Sequence, residues 1–370
     1  MPANLKPLTA LRFFAAAWVV CFLYWPDLSR AAAPSVVAKG YLGVELFFVL
    51  SGFILSHVYL TGFGEGRFHY GRFLWARLAR IYPMHLATLA GIGVLVAGAS
   101  VAGFALEHPI AVMGALPANL TLTHAWGLAP MSAWNHPSWS LSAEWMAYLT
   151  FPAFAFVAWR LRERPFLAAA GAVAFLFGLY AVFQQLAGFS LTQATYLWGG
   201  LRIVPCFACG CAAYLVWRSG ALKSRALAVA GVFASAGLAL LSAGLGLPDA
   251  CTVGCFGALM VCLAGLASTG SRLFSGPVGV YLGEISFAVY MVCIPWELVF
   301  VNGAQKVLGL GDAPLPLWAW LVFAAGVVPV AALAHHLIER PARDAMRRWS
   351  DSGFRLGGVR PGLPVRAAGE

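Results

Sequence analysis

Runs of about 20 apolar residues, each long enough to cross a bilayer core as a helix, recur along this chain, and nothing constrains its fold more. They occupy roughly residues 8–25, 41–61, 81–97, 138–159, 165–187, 201–217, 226–247, 250–270, 277–300 and 315–338. Inside a bilayer only helices and closed barrels satisfy their own backbone hydrogen bonds, so the pattern predicts an all-α polytopic membrane protein of about ten transmembrane helices. Composition agrees: 61% of the residues are hydrophobic and 10% charged, which excludes a soluble two-domain protein of this length. The short run at 109–121 carries Pro109 and Pro117 and reads as an interfacial or re-entrant piece of a loop.

The net charge of +10 would suggest nucleic acid until the basic residues are placed. With the N-terminus inside, one set of connections holds Arg67, Arg72, Arg77 and Arg80, then Arg160, Arg162 and Arg164, then Arg218, Lys223 and Arg225, then Arg272, and finally Arg340, Arg343, Arg347 and Arg348. The other set holds Arg30, Lys39, Arg202 and Lys306. This asymmetry is the positive-inside rule at work, so both termini are expected in the cytoplasm, with the lipid bilayer rather than nucleic acid as partner. The tail from residue 349 to 370, rich in Gly, Pro and Arg, is expected to be disordered beyond a membrane domain spanning 1–348.

Lys6, an apolar run and Ala31, Ala32 and Ala33 imitate a cleavable signal peptide, but Arg12 interrupts the apolar region and removal would break the charge pattern. No internal repeat of fixed period is visible, which argues against transporter folds built from duplicated halves. The eight cysteines lie mostly in apolar runs and behave as small hydrophobes. Cys206, Cys209 and Cys211 crowd one segment without a second ligand cluster, so no metal is expected.

Charges within the spans are the candidate functional residues, because an intramembrane ionisable group is costly and normally faces a cavity or partner. They are Arg12, Glu45, Glu144, Glu284 and Glu297. The topology puts Glu45, Glu144 and Glu297 in the outer half and Arg12 near the cytoplasmic side, giving an acidic outer cluster and a basic inner mouth. Arg12, Arg77 and Arg80 at that mouth suit phosphate groups, to which Arg offers planar bidentate donors. His57, His85, His335 and His336 lie near span ends and read as interfacial. In the first span, 11 residues at 100° return to within about 20° of the start, roughly 16 Å further on. Leu23 therefore shares a face with Arg12, and Tyr24 points about 120° away.

Six stretches resemble the membrane acyltransferase-3 family: LTALRFFAAAWVV, GYLGVELFFVLSGFIL at 40–55, RLARIYP at 77–83, NHPSWSLSAEWMAYLTFP at 135–152, YLGEISFAVYM at 281–291 and IERPAR at 338–343. The resemblance implies a bacterial inner-membrane protein of about ten spans that moves an acyl group, commonly acetyl, from cytoplasmic acyl-CoA as co-substrate to a sugar hydroxyl of a glycan or glycolipid, with no bound cofactor. It further implies catalytic roles for Arg12, Glu45 and Glu144 and donor handling by Arg77 and Arg80. Tyr24, Trp139, Ser142 and Cys293 are expected around the pocket. The family's proposed base is a His eleven positions after the Arg, and here that position is Leu23. A second family His, after a Tyr-Leu pair, is absent from Tyr290, Met291, Val292, Cys293. Leucine accepts no proton, and such assistance is worth about 10²–10⁴ in rate. Three substitutes present themselves: Glu144 first, Glu45 second and Cys293 as a nucleophile third. A catalytically impaired relative that binds acyl-CoA, lipid or a glycan-assembly partner is the alternative, with a solute transporter a weaker third.

Overall fold

The computed structural model describes residues 5–101, 110–129, 131–270 and 273–353. Over these the chain is an all-α polytopic membrane protein. In chain order the helices are α1 (Lys6–Leu28), α2 (Ser35–Ala38), α3 (Gly43–Gly64), α4 (Tyr70–Val101), α5 (Leu116–Leu120), α6 (Trp139–Leu149), α7 (Phe151–Arg160), α8 (Pro165–Ala187), α9 (Gly199–Arg218), α10 (Arg225–Gly244), α11 (Asp249–Ser268), α12 (Pro277–Leu308), α13 (Leu317–Ala334) and α14 (Arg340–Gly353). Nine helical segments among the described residues are long and apolar enough to cross a membrane, and the bent pair of α6 and α7 makes a tenth. The stretch around 110–121 forms only a short turn and α5, as its prolines and length predict; Pro109 lies outside the described residues.

Three boundaries differ from the sequence reading. Helix α4 begins at Tyr70 rather than near residue 81, so Arg77 and Arg80 lie within it, one helical turn apart on one face. The span expected at 138–159 is broken, its two halves meeting at 56°. Pro152 has no N–H to bond the Tyr148 carbonyl, and the Thr150 backbone and hydroxyl both turn back to the Met146 carbonyl instead. Helix α14 continues past Trp349, where disorder was expected, to Gly353; it rests on α4 through the Trp75 indole, which donates to the Met346 carbonyl at 2.8 Å. Residues 354–370 and Arg272 lie outside the described residues.

Helix α9 sits at the centre, packed on α3, α6, α8 and α11, while α1 lies between α3 and α12. Lipid tails are as apolar as leucine, so these contacts depend on close approach rather than on exclusion of water. Gly52 of α3 faces the Phe207 carbonyl of α9, and Gly210 of α9 faces the Val49 carbonyl of α3. A Cβ at either position would collide with backbone that cannot rotate away. Gly210→Ala is expected to cost about 1–3 kcal/mol, read as a lowered melting temperature in detergent. Gly62→Ala, on the same pair of helices but with open space around it, should cause no loss.

The helices alternate in direction, so the Arg-rich connections share one face, called here the basic face. On the opposite face two of the four cations, Lys39 and Arg202, are paired with carboxylates. Lys39 forms an ion pair with Asp249 at the start of α11, which also accepts from the Tyr41 and Thr192 hydroxyls. Arg202, counted from sequence as a loop cation, is instead buried inside α9 on Glu45. Neutralised charges of this kind leave the orienting signal to the basic face.

Candidate functional site

Two polar regions flank α1, one towards each face. The region on the opposite face is a cavity of about 430 Å³ whose walls include Leu23, Tyr41, His136, Trp139, Arg202 and Tyr290. Leu23 comes from α1, on the face that the spacing from Arg12 predicts. Trp198 precedes α9 in the left-handed conformation (φ 68°), and its carbonyl accepts the Leu201 and Arg202 amides, which starts the helix with Arg202 in its first turn. The guanidinium is then held on four sides. Nε meets the Glu45 carboxylate, Nη1 donates to the Ala194 carbonyl at 2.9 Å, Nη2 reaches the Tyr41 carbonyl at 3.5 Å, and the Trp139 ring lies 4.5 Å away.

His136 enters the same cavity from the short turn before α6. Its neighbours fix the backbone on both sides: Asn135 Nδ2 donates to the Met291 carbonyl at 2.9 Å, and the Pro137 carbonyl accepts the Tyr290 hydroxyl at 2.9 Å. The ring places Nδ1 3.3 Å from Ser132 Oγ and lies 5.8 Å from the Tyr196 ring. Among the described residues, three of the four non-glycine positions with positive φ, Leu122, Trp134 and Trp198, belong to the connections around this cavity. Backbone held in that region costs on the order of 1 kcal/mol per residue and clusters where geometry is functional.

Behind His136 a second imidazole supports the loop. His124 Nε2 lies 3.1 Å from Ser138 Oγ, and its ring stacks on His85 at 5.9 Å. Burial first, then the neighbouring His85, push His124 down to about 4. Because the folded value lies below the unfolded value of about 6.5, the neutral ring's contribution to stability is complete above pH 6.5 and is lost as pH falls toward 4. Melting temperatures measured across that window should fall with pH, and His124→Gln should flatten the slope.

The region towards the basic face is built around Glu144. Ser51 Oγ donates to Glu144 Oε1 at 2.7 Å, and the Tyr148 hydroxyl, one turn on, lies against the same carboxylate. Arg12 is within electrostatic reach of Arg80, Glu339, Glu144 and Tyr148. Arg77 lies over the Tyr59 ring, 5.9 Å from its centre. A π-helical turn over His335–Glu339 swings Glu339 inward, where His335 Nδ1 meets it at 2.8 Å and Arg343 Nη1 at 3.5 Å. Such turns widen a helix by one residue and commonly mark functional sites.

The structure therefore redistributes the residues singled out from sequence. Glu144 does not join Glu45 in an outer acidic cluster: Glu45 is fully buried on Arg202, and Glu144 is absent from the outer cavity walls and faces Ser51 and Arg12 instead. Glu45 thus has no freedom to act as a base. Leu23 and Trp139 are in the cavity wall. Tyr24, Ser142 and Cys293 are not: the Tyr24 hydroxyl donates to the Cys293 carbonyl at 2.8 Å, Ser142 Oγ accepts the Ala125 amide at 2.9 Å, and Cys293 Sγ donates to the Tyr290 carbonyl at 3.1 Å. Tyr24 thereby ties α1 to α12, Ser142 ties α6 to the connection before it, and Cys293 bonds within α12. His85 and His335, read as interfacial, are buried. His136, Arg202 and the His335–Glu339 pair went unrecognised, although His136 stood inside a motif already singled out. The thiols of Cys209 and Cys211 likewise serve packing, on the Ala172 and Gly52 carbonyls.

The chain belongs to the acyltransferase-3 family of membrane acyltransferases, whose model, described as an acyltransferase domain, matches residues 6–336. Among curated proteins it is similar to "Acyltransferase MdmB" of Streptomyces mycarofaciens, 28% identical over 93% of each chain. A shorter match, 51% identical over 53 residues, joins it to "Protein 2 in picA locus" of Rhizobium radiobacter, covering 14% of this chain and 28% of that protein. No solved structure matches it significantly.

Proposed function

We propose that this protein, placed in a bacterial cytoplasmic membrane, carries an acyl group from acyl-CoA on the cytoplasmic side to a sugar hydroxyl of a glycan or glycolipid bound at the outer cavity. Acetyl is the simplest group that meets this description. The observation that carries the reading is the placement of two polar regions at the two ends of one face of α1. Arg12 is at one end and Leu23 is in the wall of the cavity at the other.

On the basic face, Arg12, Arg77 and Arg80 outnumber the nearby carboxylates and suit the phosphates of a CoA thioester, with Glu144 and Glu339 keeping the guanidinium groups oriented. A long pantetheine arm matches the roughly 16 Å between the two ends of the face. At the cavity, the Trp139 ring and the fixed Arg202 guanidinium suit a sugar, which offers an apolar ring face and several hydroxyl acceptors. The hydroxyl oxygen attacks the thioester carbonyl, the carbon–sulfur bond breaks, and the proton leaving the hydroxyl balances the thiolate released as CoA.

The test is thiol release from acetyl-CoA by the purified protein in lipid discs, with and without sugar acceptors. Acceptor-dependent release supports the reading. Tight acyl-CoA binding with no turnover for any acceptor would overturn it in favour of a binding or regulatory relative, the alternative that Leu23 raises.

A further inference from the structure

We propose that His136 is the general base of this protein's acyl transfer, supplying from the turn before α6 the imidazole that α1 lacks at position 23. The inference rests on the acyltransferase reading and assigns its proton acceptor.

Position 23 and His136 line one cavity, from different walls. A base placed at either would therefore address the same bound hydroxyl. Among the described residues the lining amide of Gln193 and hydroxyl of Thr195 are not basic, and the other polar groups named in that cavity are committed. The Tyr290 hydroxyl donates to the Pro137 carbonyl, the Tyr41 and Thr192 hydroxyls donate to Asp249, and Arg202 carries its charge on Glu45. His136 is different. With Nδ1 engaged by Ser132 Oγ at 3.3 Å, its Nε2 has no hydrogen-bond partner among the described residues. A ring that donates through Nδ1 presents Nε2 as a free lone pair, the tautomer a base requires.

Its position is also secured. The residues before and after it are tied to α12 through the Met291 carbonyl and the Tyr290 hydroxyl, and Trp134, two residues earlier, is held at φ 62°. These ties on both sides hold the backbone that carries the ring, the kind of support a functional side chain on a loop requires. The charged and titratable groups around the ring are Arg202 of α9, Tyr196 of the connection before α9, Tyr41 of the turn before α3 and Tyr290 of α12. Arg202 is the only ionic group among them, and burial first, then its fixed positive charge, favour a neutral imidazole.

In the step itself, Nε2 takes the hydroxyl proton as the sugar oxygen bonds to the thioester carbon. The carbon–sulfur bond then breaks, and the imidazolium returns that proton to the departing thiolate. The products are the sugar ester and CoA thiol, with His136 neutral again.

The experiment compares native protein, His136→Gln, His136→Gly and the double variant Leu23→His/His136→Gln in acetyl transfer. His136→Gln should lower kcat by roughly 10²–10⁴-fold, leave the KM for acetyl-CoA within about threefold, and remove the acid limb of the kcat/KM profile. Added imidazole should restore part of the activity of His136→Gly, and the double variant should recover activity through the base returned to α1. A merely structural histidine would give neither rescue. Full activity with an unchanged pH profile in His136→Gln overturns the assignment while leaving the acyltransferase reading intact. A native protein that turns over no acceptor overturns that reading, and the assignment falls with it.

Discussion

Arg202→Met should be among the most damaging single substitutions in the chain, costing about 3–5 kcal/mol because it strands a buried carboxylate. Glu45 is fully buried, and its second oxygen has no hydrogen-bond partner. The reverse change, Glu45→Gln, should cost less, since Arg202 keeps the Ala194 carbonyl and the Trp139 ring. The double variant Arg202→Met/Glu45→Leu should recover most of the loss, as apolar replacements of buried ion pairs often do. Unfolding in mixed detergents, arranged as a double-mutant cycle, measures the coupling directly. A coupling energy near zero would show that the pair contributes nothing beyond the packing of its two side chains. Because the Arg202 guanidinium forms part of the cavity wall, the recovered double variant should remain defective in acyl transfer, which separates stability from activity.

On the basic face the largest effect is expected from Arg80→Ala, which should raise the KM for acyl-CoA by roughly 10–100-fold with kcat little changed. A charge-assisted hydrogen bond is worth about 1.5–3 kcal/mol, and uniform binding energy of that size appears in KM rather than in kcat. Arg80→Lys should be intermediate, because an ammonium keeps the charge without the bidentate fork. Glu144→Gln provides the complementary measurement. The Gln amide oxygen still accepts from Ser51, so the fold should tolerate it, and loss of a negative charge beside Arg12 should tighten the donor rather than slow the chemistry. If Glu144→Gln instead slowed turnover by about two orders of magnitude, the size of a lost general base, the role of base would return to that carboxylate. Steady-state kinetics on the three variants, with acyl-CoA varied at saturating acceptor, decides between these outcomes.

Much of this molecule is legible from residue order because the bilayer allows so few solutions. The ten crossings, the sided distribution of arginine and the shared face of Arg12 and Leu23 all follow from length, charge and helical period. Partnerships between distant helices are less accessible. Nothing near Glu45 in the chain announces Arg202, 157 residues away, and an arginine just after two glycines resembles a loop cation until α9 is seen to begin at Gly199. Depth misled in a similar way. Glu144 lies only five residues into α6, yet the register of α6 on α3 sets it against Ser51 rather than Glu45. His136 was hidden by its setting, because a histidine before a proline in a turn resembles a helix-start residue, and only the cavity shows what faces it.

The buried pair of Glu45 and Arg202 also sets a clock on biogenesis. At ribosomal rates of about 5–20 residues per second, the 157 residues between the partners take roughly 10–30 s to make. For that interval α3 is in or beside the membrane with a carboxylate whose native guanidinium partner has not been made. The helix that most needs α9 is thus among the first to emerge and among the last to settle. An insertion factor able to shelter a single acidic helix would find its client in this window, and the cavity that Arg202 completes cannot exist before it closes.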